Sequence, residues 1–298
     1  MCTAIAGLGP DGTVLLAGVR DEFTSRAWQP PGRYWPERPG VIGGRDLLAG
    51  GTWLAVAPAA RRVACVLNGR GRMASPAFRR SRGVLPLGAA ADGKLTVTDL
   101  ADFDPFRLLV AEPGRAVLSS WDGAQFAERE LAPGLYMVVN SGLASDLWPV
   151  QAPGAAPGAA PESVTESVTG AAAGAAPDTG PGGLTAEQAE AAHARELGRI
   201  GHFLPRLNAA RMPSPEPGVP VAAAWGDWLA LIDGDGISPD DQRALIVRRD
   251  LGGGRIWGTT SISLFAATAA GLRYDFSAAP GDPAAWSPVP LDTPRPPA

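Results

Sequence analysis

The chain has almost no cysteine. Two in 298 residues, Cys2 and Cys65, leave no room for a disulfide framework and fit a reducing, cytoplasmic compartment. Histidine is as scarce: His193 and His202 stand on one helix-like stretch, face different ways, and have no Cys or second His beside them, so zinc is not expected. Lys94 apart, every basic residue is arginine, which with the abundant Ala, Gly and Pro reads as a GC-rich, bacterial coding bias. No basic block exists, and 26 basic against 30 acidic residues give a net charge of −4. That excludes the electrostatic footprint of a nucleic-acid or anionic-membrane binder. Long apolar runs are missing too. Nothing approaches the ~18–20 residues of a membrane span, and the first segment has no positive n-region and breaks at Gly9-Pro10, so no signal peptide is expected.

What is present is apolar material for a core: 45% hydrophobic residues against 19% charged. One domain is expected over 1–298, interrupted by an Ala/Pro/Gly-rich insertion at about 151–183 and closed by a Pro-rich tail from about 280. The insertion shows no apolar period of 2 or 3.6 and cannot offset the entropy of ordering, so disorder is expected there. The tail is expected to fray, Trp286 excepted.

The first twenty-two residues carry the strongest local pattern. Thr3-Ala4-Ile5-Ala6 and Thr13-Val14-Leu15-Leu16-Ala17 flank Gly9-Pro10-Asp11-Gly12, a β-hairpin signal. Facing residue numbers then sum to 21, or to 22 with a bulge, so Cys2 faces Val19 or Arg20. Short strands continue at 52–56 and 62–67, and a second meander at 106–111, 116–121, 126–131 and 135–140. The segment 71–100 is too broken by Pro86, Gly88 and Gly93 to read as a helix. Thr185 with Gln188 opens a helix to about 204; further helices are expected at 224–232 and from Ser238-Pro239-Asp240-Asp241 to about 251. Strands return at 256–266 and 271–276. The order indicates an α+β fold of mostly antiparallel sheet.

Two motif matches fail on context. Gly7-Leu8-Gly9-Pro10-Asp11-Gly12 fits G-x-G-x-x-G, but a strand follows where a helix N-terminus should face a pyrophosphate. Asp233-Gly234-Asp235-Gly236 hints at a calcium loop, yet the places for the outer ligands hold Leu231 and Gln242. The nine Trp read as core fillers.

Cys2 is the residue whose position carries mechanism. Removal of Met1 would leave a thiol and a free α-amine on one residue, with reference pKa values of ~8.5 and ~7.7–8.0. The amine then serves as base for its own side chain. Arg20 is expected to lower the thiol pKa, and Asp21 to orient the ammonium. The plain alternative stands beside this: Cys2 as a small apolar strand residue, and Arg20-Asp21-Glu22 as a solvated hairpin end.

Met1-Cys2-Thr3, Val19-Arg20-Asp21-Glu22-Phe23, Arg26 and the run from Gly44-Arg45-Asp46 to Gly51-Thr52-Trp53-Leu54 resemble the NRDE (transport and Golgi organisation) family. Asn68-Gly69-Arg70, Ser81-Arg82-Gly83, Gly134-Leu135-Tyr136 with Asn140, Trp148-Pro149 and Trp257-Gly258-Thr259-Thr260-Ser261 continue the resemblance in order. The family is similar in turn to the choloylglycine-hydrolase branch of N-terminal-nucleophile hydrolases. The resemblance implies a four-layer αββα sandwich and an amidase acting on a small amide. It implies Cys2 as nucleophile and base, Arg20 and Asp21 as its polar partners, and Glu22, Asn68 and Asn140 as substrate contacts. It equally implies a non-catalytic reading, a cleft that binds or traffics haem or an acyl ligand, with haem as cargo and no cofactor. The signature departs at one place: Val19 stands where the family has Asn, which is expected to remove a polar group from beside the nucleophile.

Overall fold

The computed structural model describes residues 2–148 and 186–292. The expected insertion at 151–183 lies outside the described residues, as do Thr185 and the last six residues.

The chain opens with β1 (Thr3–Leu8) and β2 (Val14–Phe23). Their turn is the expected one: Gly9 and Thr13 exchange a backbone bond, Asp11 Oδ1 accepts from Thr13 N–H, and Gly12 takes φ +86°. Thr3 faces Val19, so partners sum to 22. Next come β3 (Trp28–Gly32), β4 (Ile42–Asp46), β5 (Leu54–Ala57), β6 (Arg62–Asn68), α1 (Val84–Asp92), β7 (Phe106–Glu112), β8 (Arg115–Trp121), β9 (Phe126–Glu130), β10 (Gly134–Val139), β11 (Gly142–Leu143) and α2 (Ala144–Leu147). The remainder is α3 (Ala186–Ala209), α4 (Val221–Trp225), α5 (Asp227–Ile232), β12 (Arg248–Asp250), β13 (Ile256–Thr268), β14 (Gly271–Ser277) and β15 (Trp286–Pro288).

These strands make two antiparallel sheets. One runs β11-β10-β1-β2-β13-β14-β15, with β12 also on β13; the other is a plain meander from β3 to β9. Period-2 alternation along each strand divides its side chains between two faces. Ala4, Ala6 and Leu16 meet Leu54, Val63, Cys65 and Leu109 between the sheets. Ile5, Leu15 and Val19 turn the other way, against Ile200 and Phe203 of α3 and Trp225 and Trp228 of α4 and α5. On the far side, Ala64, Val66 and Leu108 pack against Leu85 and Ala89 of α1. The result is the four-layer αββα sandwich. Strands β1 and β2, buried on both faces, read as unbroken apolar runs because both neighbours are protein.

Several element expectations need correction. Residues 84–92 are helical after all: Pro86 falls in the first turn, where its missing N–H removes no intrahelical bond. Gly93, at φ +77°, caps the end on Ala89 O. The helix expected from Ser238 to about 251 does not form. Asp241 Oδ1 instead accepts from Arg243 N–H in a tight turn, and Arg248–Asp250 pair with the long β13. The piece expected at 224–232 splits at Gly226, φ +52°, into α4 and α5. α3 runs through Pro205 to Ala209 rather than stopping near 204. The tail, expected to fray, pairs through β15 with β14. No helix among the described residues is long and apolar enough to cross a membrane.

Candidate active site

β1 lies between β10 and β2, and the two registers converge on Cys2. Thr3 pairs with Val139 on one side and Val19 on the other. One step further, Cys2 is flanked by Asn140 and Arg20, all three on the inter-sheet face that Ala4 and Gly18 share. The Cys2 thiol is half-buried against the inter-sheet core, and its Sγ donates to the Asp21 carbonyl at 3.7 Å.

Arg20 is buried and fully engaged. Its Nη1 donates to Thr260 Oγ1 at 2.7 Å, its guanidinium lies 4.5 Å over the Trp53 ring, and Nη2 is 3.5 Å from Asp46 and 4.0 Å from Glu22. Thr260 reaches it because the β2–β13 register slips between Thr259 and Ser261, a bulge that turns an extra hydroxyl toward the cleft. Asp46 also accepts from Arg26 Nε at 2.6 Å and from the N–H groups of Leu48 and Ala49. Glu22 completes this cluster, 3.7 Å from Arg26 Nε.

Asp21 points the other way. Its carboxylate accepts from Thr259 Oγ1 at 2.7 Å and lies 3.6 Å from Arg199 Nη2, behind the sheet and under α3. Arg199 in turn donates to Thr3 Oγ1 at 2.6 Å and to Ala244 O at 3.0 Å. The Asp21 side chain thus stabilises β1 and β2 from the helix side, while its backbone carbonyl meets the thiol.

Asn140 closes the opposite flank. Its Nδ2 donates to Asn68 O at 2.6 Å, a bond that joins the two sheets, and its buried Oδ1 has no partner among the described residues. Asn68 contributes its carbonyl; its side chain is exposed. Just beyond, Arg70 holds Ser141 Oγ at 2.7 Å and Glu196 at 3.0 Å, and Ser141 also bonds Glu196. That knot fixes the peptide after Asn140.

The electrostatics differ from expectation in one respect. Burial pushes the Cys2 thiol above its ordinary value, outweighing the smaller downward effect of Arg20. Arg20 does lower the thiol pKa, as expected, but burial outweighs it. Cys65, buried beneath, is pushed up by the same cause. Arg82, half-buried near this end of the cleft, donates from Nη1 to Pro105 O at 2.8 Å; burial lowers its pKa, and Asp104 and Cys2 oppose that.

Val19 is a second correction. It is buried on the helix-facing side, packed with Ile5 and Ile262. Alternation puts it one residue out of phase with Arg20, so replacing Asn there removes no polar group from the cleft. Among the residues that sequence reasoning did not assign a role, Asp46, Trp53, Thr260 and Arg82 had a signal in their motif runs. Arg199 and Glu196 had none, since on a long helix they look like ordinary surface charges. No group of three or more His, Cys, Asp or Glu that could hold a metal ion occurs among the described residues.

A family model described as Transport and Golgi organisation 2 matches residues 1–155. No curated protein matches the sequence. Similar solved structures include a cysteine-to-alanine mutant of conjugated bile acid hydrolase from Clostridium perfringens, at TM-score 0.44 and 12% identity over 93% of this chain and 89% of that one. An arginine-to-leucine variant of the same enzyme gives TM-score 0.47 and 11% identity at the same coverages. At those values the architecture rests on this chain's own sheets and layers.

Proposed function

The chain belongs to the Transport and Golgi organisation 2 family, and from that premise we propose that it is an N-terminal-cysteine amidohydrolase acting on a small amide. The observation that carries the reading is the convergence of two strand registers on Cys2, which sets Asn140 and Arg20 beside a half-buried thiol.

The raised thiol pKa gives Met1 removal a mechanistic purpose. A buried thiol holds its proton at neutral pH, so attack requires a base at the sulfur. The α-amine freed on Cys2 is that base. Sγ bonds to the substrate carbonyl carbon as its proton passes to the amine; the C–N bond then breaks, and the leaving nitrogen takes the proton. Water, deprotonated by the same amine, hydrolyses the thioester. Asn140 Oδ1, buried and without an acceptor's usual donor, suits a substrate N–H. Arg20, anchored by Thr260, Trp53 and Asp46, keeps a positive charge beside the developing anion.

Intact mass and a panel of activated small acyl amides test the reading. The expected result is loss of Met1 and an acyl adduct on the Cys2 peptide, absent in Cys2→Ala. Retained Met1, or a panel that leaves Cys2 unmodified, overturns it.

A further inference from the structure

A second concentration of polar groups lies in the inter-sheet space away from Cys2. A cavity of about 330 Å³ opens where the ends of β7, β8 and β9 face β11 and α2. Arg107 of β7 and Ser120 of β8 are cross-strand partners on its wall, Leu118, Leu143 and Leu147 supply its apolar part, and Glu128, Arg129 and Asp146 stand at it as well. At that size it falls near the lower end of small-molecule pockets, roughly 300–1,000 Å³.

The charges in this cavity are unevenly matched. Glu128 accepts from Ser119 Oγ at 2.8 Å, and Asp146 pairs with Arg129 at 2.9 Å. Arg107 has no carboxylate in ion-pair contact among the described residues. Its bonds go to three backbone carbonyls: Phe106 O at 3.2 Å and Trp121 O at 3.4 Å from Nη1, and Ser141 O at 3.4 Å from Nη2. A guanidinium has five N–H donors; none of these bonds uses Nε–H, and Nη2 spends one of its two N–H groups, so donors remain for a carboxylate. Burial draws the Arg107 pKa down, yet arginine stays charged at any working pH. The wall therefore presents a guanidinium with N–H donors to spare beside Leu118, Leu143 and Leu147, with the charges of Asp122 and Glu128 nearby but outside ion-pair distance.

We propose that this cavity binds a small carboxylate carried on a short aliphatic chain, with Arg107 holding the carboxylate and Leu118, Leu143 and Leu147 covering the chain. The site is separate from Cys2. β1, β10 and β11 are consecutive strands, so it begins about two strand spacings, roughly 10 Å, from the thiol, beyond the Asn140–Asn68 bond. It goes beyond the amidase reading and stands without it.

Calorimetric titration of the full chain and of Cys2→Ser with glutarate tests the site. The expected result is saturable one-site binding, equal in both proteins and weakened about tenfold or more in Arg107→Gln. Arg243→Gln, remote and exposed, should bind glutarate as the parent does. Arg107→Gln could lose the fold along with three backbone bonds, so Ala127→Glu provides a second variant. Ala127 is exposed on β9, pairs with Ser120 and lines the cavity, and a carboxylate there should abolish binding with the melting temperature retained. Inorganic phosphate is the competing probe. Absence of glutarate binding, or binding indifferent to both Arg107→Gln and Ala127→Glu, overturns the site. Displacement by phosphate at equal concentration overturns the ligand class.

Discussion

At Cys2 the surroundings oppose the thiolate, because burial, helped by the Asp21 charge, outweighs the charge of Arg20. With the pKa raised, alkylation by iodoacetamide should be slow at pH 7 in protein that retains Met1 and should still be rising at pH 9. Cys65, fully buried and also raised, should label only after unfolding. Peptide mass spectrometry across pH reads both; a Cys2 rate that levels off below pH 8 without Met1 removal contradicts the burial argument. Asn140 is the other decisive residue. Asn140→Ala takes the donor from Asn68 O and should cost about 1–2 kcal/mol of stability, together with a fall in turnover of about tenfold for the lost acceptor of a substrate N–H. Turnover that survives the change removes Asn140 from the mechanism. The thiol's neighbours were half legible in the sequence. Counting across a Pro-Asp-Gly turn brings Arg20 to Cys2, but it cannot say which face Val19 occupies until the register is fixed at 22. One residue of slip exchanges the faces, and that is how a buried apolar position passed for a missing polar one.

Among elements, the loops that frame the cleft are held by backbone contact. Thr52 N–H donates to Gly83 O at 2.9 Å, and a Cβ on Gly51 would sit 2.5 Å from the Gly83 carbonyl carbon. Gly51→Ala should therefore force the two loops apart and lower stability by about 1–3 kcal/mol, with increased Cys2 labelling as the local readout. A variant as stable as the parent would mean the loops are not packed as described. Asp46 ties the first of these loops to Arg26 and Arg20. Burial alone would raise its pKa, but the Arg26 bond, the Ala49 N–H and both guanidinium charges hold it below the ordinary carboxylate value. A depressed folded pKa contributes stability above the unfolded value of ~3.9, and that contribution disappears as pH falls through the folded pKa. Asp46→Asn should accordingly melt earlier than the parent at pH 7, by about 1–3 kcal/mol, and the two curves should converge in acid. A gap that stays constant down to pH 3 refutes the ion-pair account. Elements whose patterning was local were legible, as in the meander from Phe106 to Val139. α1 was hidden because Pro86 and Gly88 look like breakers until their places in the first turn and against the sheet are known. Ser238-Pro239-Asp240-Asp241 misled in the opposite sense, since a side chain that can cap a helix can also close a turn.

Across the whole molecule, a buried ion pair ties the helix layer to the strands that carry Cys2 and Arg20. Arg199 on α3 lies 3.6 Å from Asp21 on β2, both side chains essentially inaccessible, and the same guanidinium holds Thr3 of β1 and the Ala244 carbonyl. Nothing in the sequence links positions 21 and 199, because the pairing depends on α3 packing over the sheet centre from nearly 180 residues away. The pair separates two roles that the family signature leaves merged. If it serves packing alone, a matched apolar exchange should be tolerated; if it sets the pitch of β1 and β2, Cys2 should respond even when stability recovers. Arg199→Met removes the buried counter-charge of Asp21 and should lower stability by about 3–5 kcal/mol. Asp21→Leu combined with Arg199→Met removes both charges, and the Thr259 hydroxyl can turn to Leu245 O, 3.5 Å away; most of the loss should then return. Denaturant unfolding gives the coupling energy, and iodoacetamide labelling of Cys2 in the double variant gives the second answer. Asp21 bonds the thiol through its backbone carbonyl, and its carboxylate acts only by charge, which helps hold the thiol pKa up; the expected outcome is restored stability with a Cys2 rate equal to the parent's or modestly faster. A double variant that is stable yet labels many-fold faster would instead make the Asp21 carboxylate a positioning group for the thiol.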